Sequence, residues 1–570
     1  MTFDSCYLKF NKQDLVRWNY THKMLRAARY ICRSALKVNR KETGMTVFNL
    51  LSVVFALIAA ILGSAKAFQM FQQNSYIASR YADWLKERFT TGRTVLKIAF
   101  AALLSALGFL WKGFGYVSAP ILLIVAIVVF FSQRKGQKSA IKPLVLTARV
   151  KRMYVTESII FAAVMGLCFA DKFSPFCFAA AMLLFVFREL IVVLANVINK
   201  PIERAVAKHY INDAKKILKQ TKGLITIGVT GSYGKTTTKF ILSRILSEKY
   251  TVTVTPESFN TPMGVVRTVR EKMVPGTEIF VAEMGAKNVG DIKEICDIVD
   301  PDMGLITSIG PQHLNTFGSI ENIVGTKFEL ADAVAKKNGE IFLNGDNEYI
   351  RKKSGEYSRV HLYGTESDCE AFAENITCSS SGSTFDIVFK DGRISVFTRL
   401  LGSHNVQNIV GAAAIARHLG VSDSDIKFAI GSLKATSHRL EIKSFAKGAT
   451  LIDDAYNSNP KGCLEAVNVL SHFDGMKKII VTPGLVELGE KEYECNFALG
   501  EAAGRVCDEI YLVGKMRSKP MTDALEKQGY DKDRIFVVSS FKEAMGKLIP
   551  TLDDSCVVLF ENDLPDNYLK

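Results

Sequence analysis

The stretch from Gly228 to Thr238 constrains the fold of this chain more than any other. Its sequence, GVTGSYGKTTT, follows a short apolar run and opens a segment with apolar residues at helical spacing. Glycines between a strand and a helix let backbone N–H groups surround phosphate oxygens, while a following lysine and threonine can reach the phosphates and a Mg²⁺ ion. The spacing is tighter than usual, because Val229 stands where the first glycine is expected. The pattern predicts a nucleoside triphosphate site, with Lys235 on the phosphates and Thr236 on the metal.

Composition divides the chain near residue 200. The chain has 570 residues, enough for about three or four domains of typical size. Long apolar runs separated by basic segments come first, and short strand patterns that alternate with amphipathic helix patterns follow. We expect an α/β fold with a helical membrane region at 1–200 that holds about four or five transmembrane helices. A central parallel-sheet domain of the P-loop ATPase type at 201–435 and a Rossmann-like domain at 436–570 are expected to follow.

Three apolar stretches in the first region are long enough to span a bilayer, at 47–65, 95–132 and 157–197. The second and third are each interrupted by a short segment, so each is expected to supply two spans. The third contains Arg188 and Glu189, a charged pair that is costly in lipid unless it lies near an interface or inside a bundle. Snorkelling from a helix end is the alternative for this pair.

The charge of the chain favours a membrane partner over nucleic acid. The formal net charge is +15, and much of the excess lies beside the apolar runs, at 1–45 and 133–152. An anionic membrane surface accounts for this distribution. Both basic segments are expected on the cytoplasmic side. Five spans would place the basic N-terminal tail and the ATP-using domain on opposite sides of the membrane, so one apolar segment can instead be re-entrant or interfacial. The mixed aromatic and polar segment 68–84 is compatible with the headgroup level or with a plain loop.

Further residues at strand ends extend the phosphate site. Glu283 ends an apolar run, where a carboxylate can hold Mg²⁺ against phosphates. His313 follows another apolar run, and Lys327 comes shortly after it. Taken singly, His313 is compatible with an ordinary loop histidine and Lys327 with a solvated helix residue.

Short motifs recur through the second part of the chain. They are TGSYGKTT (230–237), AEMG (282–285), IGPQHL (309–314), NGD (344–346), GSHNVQN (402–408), HRLE (438–441), DDAYNSNP (453–460) and VELG (486–489). Together these motifs resemble those of the Mur ligase family, over about 205–560 of this chain. Within that family, the later motifs are most similar to those of the members that add D-Ala-D-Ala to a muramyl tripeptide.

The resemblance implies an ATP-dependent amide ligase of cell-envelope synthesis. A substrate carboxylate takes the γ-phosphate of ATP, and an amine then attacks the acyl phosphate. ATP and Mg²⁺ are the implied cofactors, and a bilayer, a muramyl-peptide or lipid-linked acceptor and an amino acid or dipeptide are the implied partners. The lysine that matches Lys327 is carbamylated in the family, which converts an amine into an anion near the metal. The implied catalytic residues are Lys235, Glu283, His313 and Lys327, and the implied metal ligands are Thr236, Glu283, His313 and the carbamate of Lys327.

The resemblance also implies the binding residues. For nucleotide they are Thr230, Gly231, Gly234, Lys235, Thr236, Thr237, Asn405, Asn408, Arg439, Asp454, Tyr456, Asn457 and Asn459. For the acceptor they are Ser258, Asn260, Thr261 and Gly264. For polar loop residues of this kind, turn formation or helix capping is the alternative.

The chain departs from the family pattern at both ends of the matching region. Apolar spans precede residue 205, where the family has a domain that grips the uridine nucleotide of its substrate. After Glu561 the sequence runs NDLPD, where the D-Ala-D-Ala-adding members have a Lys-Gly-Ser motif nearby. A lipid-linked glycan or another envelope polymer therefore stays open as the acceptor, with an amino acid or peptide as the amine.

A non-catalytic nucleotide-binding scaffold is disfavoured, because Lys235, Glu283, His313 and Lys327 are all present. The eleven cysteines are scattered without a paired framework, as is typical of a reduced cytoplasmic protein. The expected location is the bacterial cell membrane, with several spans and with the catalytic domains in the cytoplasm.

Overall fold

The structure is a computed structural model that describes residues 43–562, apart from 75, 90–91, 112–113, 141, 171–174, 258, 457–458, 487 and 515–516. The chain divides into two compact units, residues 1–206 and 207–570. The predicted site residues Ser258 and Asn457 lie outside the described residues.

The described part of the first unit contains helices and no strand. Its last helix begins in this unit and ends in the second. The helices are α1 (Thr43–Gly63), α2 (Ala65–Gln73), α3 (Ala78–Phe89), α4 (Gly92–Leu110), α5 (Gly115–Ser139), α6 (Ala148–Ala170), α7 (Pro175–Val186) and α8 (Arg188–Gln220).

Two described helical stretches, Val47–Gln73 and Gly115–Lys138, are long and apolar enough to cross a membrane. The pair α7 and α8, bent by 84°, adds a third if it counts as one broken span. The count of four or five spans stays a prediction. The segment 68–84 lies mainly in α2 and α3, so the plain-loop alternative for it is wrong.

Charged side chains lie inside this helical unit. Arg188 and Glu189 are each 3% exposed, and their side chains are 3.4 Å apart. Arg88 donates to the same carboxylate at 3.0 Å, and Ser64 donates to the buried Glu157. Arg188 and Glu189 therefore lie in the bundle interior, one of the two situations predicted to make this pair tolerable, and they do not snorkel from a helix end.

The second unit contains a sheet of nine described strands in the order β2-β3-β1-β4-β5-β6-β7-β8-β9. Strands β1 to β7 pair in parallel, and β7 to β9 form an antiparallel meander. The strands are β1 (Ile225–Thr230), β2 (Val252–Val254), β3 (Ile279–Glu283), β4 (Met303–Ile306), β5 (Glu340–Asn344), β6 (Val360–Gly364), β7 (Ala371–Ser379), β8 (Gly382–Phe389) and β9 (Gly392–Thr398).

Helices cover both faces of this sheet, which is why β1, β3 and β5 are almost continuous buried runs. The chain crosses from one side of β1 to the other between β3 and β4, so a ligand crevice is expected at the carboxyl ends of β1 and β4. The helices are α9 (Lys235–Leu246), α10 (Pro262–Lys272), α11 (Asp291–Val299), α12 (Leu314–Phe317), α13 (Ile320–Ala335), α14 (Glu348–Ser354), α15 (Ser403–His418) and α16 (Asp423–Gly431).

A second sheet of six described strands follows, in the order β10-β11-β15-β12-β13-β14. Only β10 pairs antiparallel within it. Its strands are β10 (Glu441–Ser444), β11 (Thr450–Asp454), β12 (Lys477–Thr482), β13 (Glu509–Val513), β14 (Ile535–Val538) and β15 (Cys556–Glu561), and its helices are α17 (Pro460–Ser471), α18 (Glu492–Val506), α19 (Lys519–Lys527) and α20 (Phe541–Leu548). The α/β fold class with two sheets is as predicted.

Candidate active site

The phosphate loop joins β1 to α9 and needs its glycines. Gly231 has φ 150° and Gly234, the N-cap of α9, has φ 80°. A Cβ atom on Gly231 would lie 2.1 Å from Thr307 Oγ1, and one on Gly234 would lie 2.8 Å from Asn408 Oδ1. The N-terminus of α9 therefore faces a cradle that only glycine permits, and both the backbone N–H groups and the helix dipole favour an anion there.

The segment after β4 is hydrogen-bonded to this loop. Ser232 N donates to Ser308 O at 2.6 Å, and Tyr233 Oη donates to Pro311 O at 3.1 Å. The same segment ends in His313, which has φ 54° and is the N-cap of α12. The fold thus attaches the loop that carries His313 to the phosphate cradle.

Lys235 lies inside the cradle. Its Nζ donates to Gly231 O at 2.7 Å and to Ser232 O at 2.9 Å. Burial lowers the pKa of Lys235 to about 8, an effect that nearby Glu283 opposes and Arg439 reinforces. The ammonium is thus held in a poorly solvated place, where a bound anion would stabilise its charge.

Glu283, at the end of β3, is fully buried and surrounded by donors. Its Oε1 accepts from Thr236 Oγ1 and from Asn260 Nδ2, both at 3.0 Å. Its Oε2 accepts from Lys239 Nζ at 3.0 Å. The predicted metal ligands Thr236 and Glu283 therefore present two oxygen atoms side by side.

This oxygen pair fits Mg²⁺, which prefers hard oxygen ligands and usually takes one or two protein groups, with phosphates and waters completing the shell. No cluster of three or more His, Cys, Asp or Glu side chains suited to a metal occurs among the described residues.

Lys327, on α13, is 2% exposed. Burial first, and then the like charge of Lys235, holds its pKa well below the usual range for lysine. An amine in this environment is readily deprotonated, and the deprotonated amine is the form that can be carbamylated. The alternative of a solvated helix residue is therefore wrong for Lys327.

Asn405 and Asn408 lie on the first turns of α15, and both are buried. Asn405 Nδ2 donates to Leu401 O at 2.7 Å, and Asn408 Nδ2 donates to Asn405 Oδ1 at 3.3 Å. Because Asn408 also borders Gly234, the two asparagines form a row that leads from the phosphate loop along α15.

The C-terminal sheet contributes a second group of predicted residues. The Arg439 guanidinium lies over the Tyr456 ring, 4.9 Å from its centroid. Asp454 accepts from Leu440 N at 3.1 Å, and burial raises the pKa of Asp454 to about 6. Asn459 is the N-cap of α17 and accepts from a backbone N–H, which is the helix-cap alternative.

The predicted acceptor residues separate into two kinds. Asn260 contacts the carboxylate of Glu283. Thr261, however, is the N-cap of α10 and accepts from Gly264 N at 3.3 Å, so these two residues form a helix cap.

In the phosphate loop, Thr230 Oγ1 donates to Met284 O at 2.8 Å, and Thr237 is half-buried in the first turn of α9.

Sequence reasoning missed Lys239 and Thr307. Lys239 is fully buried because it lies on the same helical stripe as the buried Thr238 and Leu242, and that periodicity is a signal that was available. Thr307 donates to Thr230 O at 3.2 Å. Nothing in the local sequence distinguishes it from a threonine in an ordinary loop.

The sequence matches known families in both parts of the second unit. Residues 229–416 match the Mur ligase middle domain, and residues 438–561 match the Mur ligase glutamate ligase domain. UDP-N-acetylmuramoyl-tripeptide–D-alanyl-D-alanine ligase of Bacillus subtilis is 30% identical over 347 residues, which cover 60% of this chain and 74% of the relative. The chain belongs to the Mur ligase family.

Other relatives agree with this assignment. The Escherichia coli enzyme of the same name is 30% identical over 293 residues, covering 51% of this chain and 64% of its own length. MurF of Thermotoga maritima, solved with ADP, has a TM-score of 0.55 at 28% identity and covers 63% of this chain and 80% of its own. MurF of Acinetobacter baumannii has a TM-score of 0.56 at 26% identity, covering 63% and 77%. This Mur ligase is thus an ATP-dependent ligase that forms carbon–nitrogen bonds, and its cofactors are ATP and Mg²⁺.

Proposed function

We propose that this Mur ligase joins D-Ala-D-Ala to the free carboxylate of a muramyl tripeptide in peptidoglycan synthesis. The observation that carries the proposal is the pair of oxygen atoms from Glu283 and Thr236 near Lys235. The two oxygens are suited to a metal ion, and Lys235 is suited to the phosphates of a triphosphate. The names of the relatives supply the acceptor and the amine.

Phosphoryl transfer to a carboxylate depends on charge neutralisation more than on covalent help from the protein. The Lys235 ammonium provides one positive charge inside the cradle. Mg²⁺ held by Thr236 and Glu283 supplies further charge neutralisation on the phosphates when it is bound. We assign His313 to the same metal site, because its loop is hydrogen-bonded to the cradle.

Lys327 is assigned as a carbamate. Its neutral amine nitrogen forms a bond to the carbon of CO₂, one proton leaves, and the product is an anion. Two observations support this step, the burial of the side chain and the depressed pKa caused by that burial. A carbamate would also relieve the repulsion between Lys327 and Lys235.

Nucleotide binding is assigned to both sheets of the second unit. Asn405 and Asn408 are proposed on the adenine side, and Arg439 on the phosphates. The residues proposed to face ATP from the last domain are Asp454, Tyr456, Asn457 and Asn459. The residues proposed for the acceptor are Ser258, Asn260, Thr261 and Gly264.

We also infer that the first unit lies in the bacterial cell membrane as a multi-pass region, with the ligase domains on the cytoplasmic side. Large apolar side chains stand exposed along α4 to α7, among them Leu96, Ile124, Ile159 and Leu167, each more than half exposed. A soluble protein rarely exposes apolar surface on this scale, and a bilayer would cover it.

The test is magnesium-dependent phosphate release by the full-length protein purified in detergent. The soluble uridine-nucleotide muramyl tripeptide with D-Ala-D-Ala is compared with a membrane extract that contains lipid-linked acceptors, and Lys235→Met serves as the inactive control. We expect turnover with the soluble pair that requires both substrates. Turnover with the lipid extract alone would refute the proposed acceptor, and phosphate release that does not require D-Ala-D-Ala would refute that amine.

A further inference from the structure

Lys239 is a buried lysine that the mechanism above does not use. It lies on α9 one turn after Lys235, and its side chain is 0% exposed beside Glu283 at 1%. The two side chains form an ion pair with Nζ 3.0 Å from Glu283 Oε2. A fully buried ion pair is weak evidence for stability, since desolvation offsets most of its attraction. A role in the site is therefore the more informative explanation.

The two oxygens of Glu283 have different partners. Oε1 faces the Thr236 hydroxyl and the Asn260 amide, whereas Oε2 is taken by Lys239. Lys239 thereby fixes the rotation of the carboxylate about its last bond. Without Lys239, Oε2 would lose its ion pair, and Thr236 and Asn260 would hold the carboxylate from the Oε1 side.

The same ammonium reaches the loop before α10. Lys239 Nζ also donates to Glu257 O, and Asn260 of the same loop contacts the other oxygen of Glu283. Gly285 N further donates to Asn260 O at 2.8 Å. Glu257 and Asn260 are thus held at the end of β3 from both sides of the carboxylate.

We propose that Lys239 is a positioning residue that holds Glu283 Oε1 toward Thr236 and ties Glu257 and Asn260 to the end of β3. The proposal rests on the proposed function only in that Glu283 holds Mg²⁺. It does not depend on which acceptor or amine the enzyme uses.

The affinity for Mg²⁺ should change in opposite directions on replacement of Lys239, depending on whether Lys239 orients Glu283 or only balances its charge. Removing a cation beside a metal site would by itself tighten metal binding, because a repulsive charge is lost. Loss of the carboxylate's orientation would weaken metal binding, because Glu283 Oε1 would no longer be held beside the Thr236 hydroxyl. The sign of the change therefore distinguishes the two roles.

The experiment titrates a fluorescent ADP analogue into the full-length protein in detergent, over a range of MgCl₂ and separately in EDTA. For Lys239→Met we expect the half-saturating Mg²⁺ concentration to rise about tenfold or more, the range measured when groups that orient metal ligands are removed. Affinity in EDTA should change less than about twofold, since the phosphate cradle is untouched. Lys239→Gln, which keeps an N–H donor, should show a smaller rise.

The matched control is Thr253→Val, which removes a buried hydrogen bond to Thr277 in the same sheet and should leave the Mg²⁺ requirement unchanged. An unchanged or lowered Mg²⁺ requirement in Lys239→Met would overturn the proposal. If that variant does not fold, the same outcome in Lys239→Gln would overturn it. Failure of the unsubstituted protein to bind the analogue with Mg²⁺ would instead refute the proposed function.

Discussion

Replacing Lys235 with methionine should abolish catalysis and at the same time stabilise the fold. Burial lowers the pKa of this lysine from an ordinary 10.5 to about 8, so the folded protein holds the charged form at a cost. At 1.36 kcal/mol for each pKa unit between these two values, that cost is about 3 kcal/mol at neutral pH. The replacement by methionine also removes the two hydrogen bonds of Lys235 Nζ, which are worth about 1 kcal/mol each. The expected net gain is thus about 1–2 kcal/mol.

The sign of the pH dependence follows from linkage. The folded-state pKa of Lys235 lies below that of the unfolded chain, so the cost is fully present below pH 8 and disappears as the pH rises toward 10.5. The advantage of Lys235→Met should therefore be largest at pH 7 and should shrink at pH 9.5.

Thermal unfolding of the full-length protein in detergent measures this effect. A gain of 1–2 kcal/mol in a domain of about 200 residues should raise the midpoint of the ligase transition by about 2–8 °C. Lys272→Met, at an exposed position near the end of α10, is the control and should change the midpoint little. A Lys235→Met variant that melts at or below the midpoint of the unsubstituted protein at pH 7 would refute the reasoning, as would a difference that does not shrink with pH.

Three further results are expected. Gly234→Ala should weaken binding of a fluorescent ADP analogue at least tenfold, because a Cβ there meets Asn408 Oδ1 at 2.8 Å. The control Gly276→Ala, at φ 85° with open space around it, should bind normally, and equal binding by both variants would contradict the phosphate cradle. Lys327→Ala should lose phosphate release and regain part of it with acetate or formate, and no response to either anion would argue against the carbamate. Asp454→Asn should raise the midpoint of unfolding at pH 8 but not at pH 3.5. Burial raises the pKa of this carboxyl in the folded state, so the cost of burying its charge is present at pH 8 and is lost at pH 3.5. An equal shift at both pH values would rule out that cause.

The parallel part of the fold is predictable because its strands are buried on both faces. Such strands contain short continuous apolar runs, as at 279–282 and 479–481. The meander β7 to β9 was not predicted. Its signal is different, since β8 and β9 alternate buried and exposed side chains around an Asp391–Gly392 turn, the usual mark of a hairpin. A search for continuous apolar runs passes over strands of that kind.

The candidate site divides in the same way. That Thr236 and Glu283 lie together follows from topology alone, because the carboxyl ends of neighbouring parallel strands share one edge of a sheet. Their hydrogen-bond partners depend on how loops fold back, as Asn260 does onto Glu283, and no spacing in the sequence specifies that contact. The same limit explains why Thr261 and Asn459, predicted to bind ligands, are observed as helix caps.

Lys239 shows where periodicity could have predicted a buried charge. On α9 the buried positions Thr238, Leu242, Ile245 and Leu246 follow helical spacing, and Lys239 falls on that stripe. A lysine among core positions requires a nearby anion, since an unpaired buried charge is strongly destabilising. The anion had to come from a neighbouring strand end, and Glu283 is the carboxylate that ends β3, the strand beside β1. A comparison of the apolar stripe of α9 with its charged residues could therefore have predicted the pair of Lys239 and Glu283.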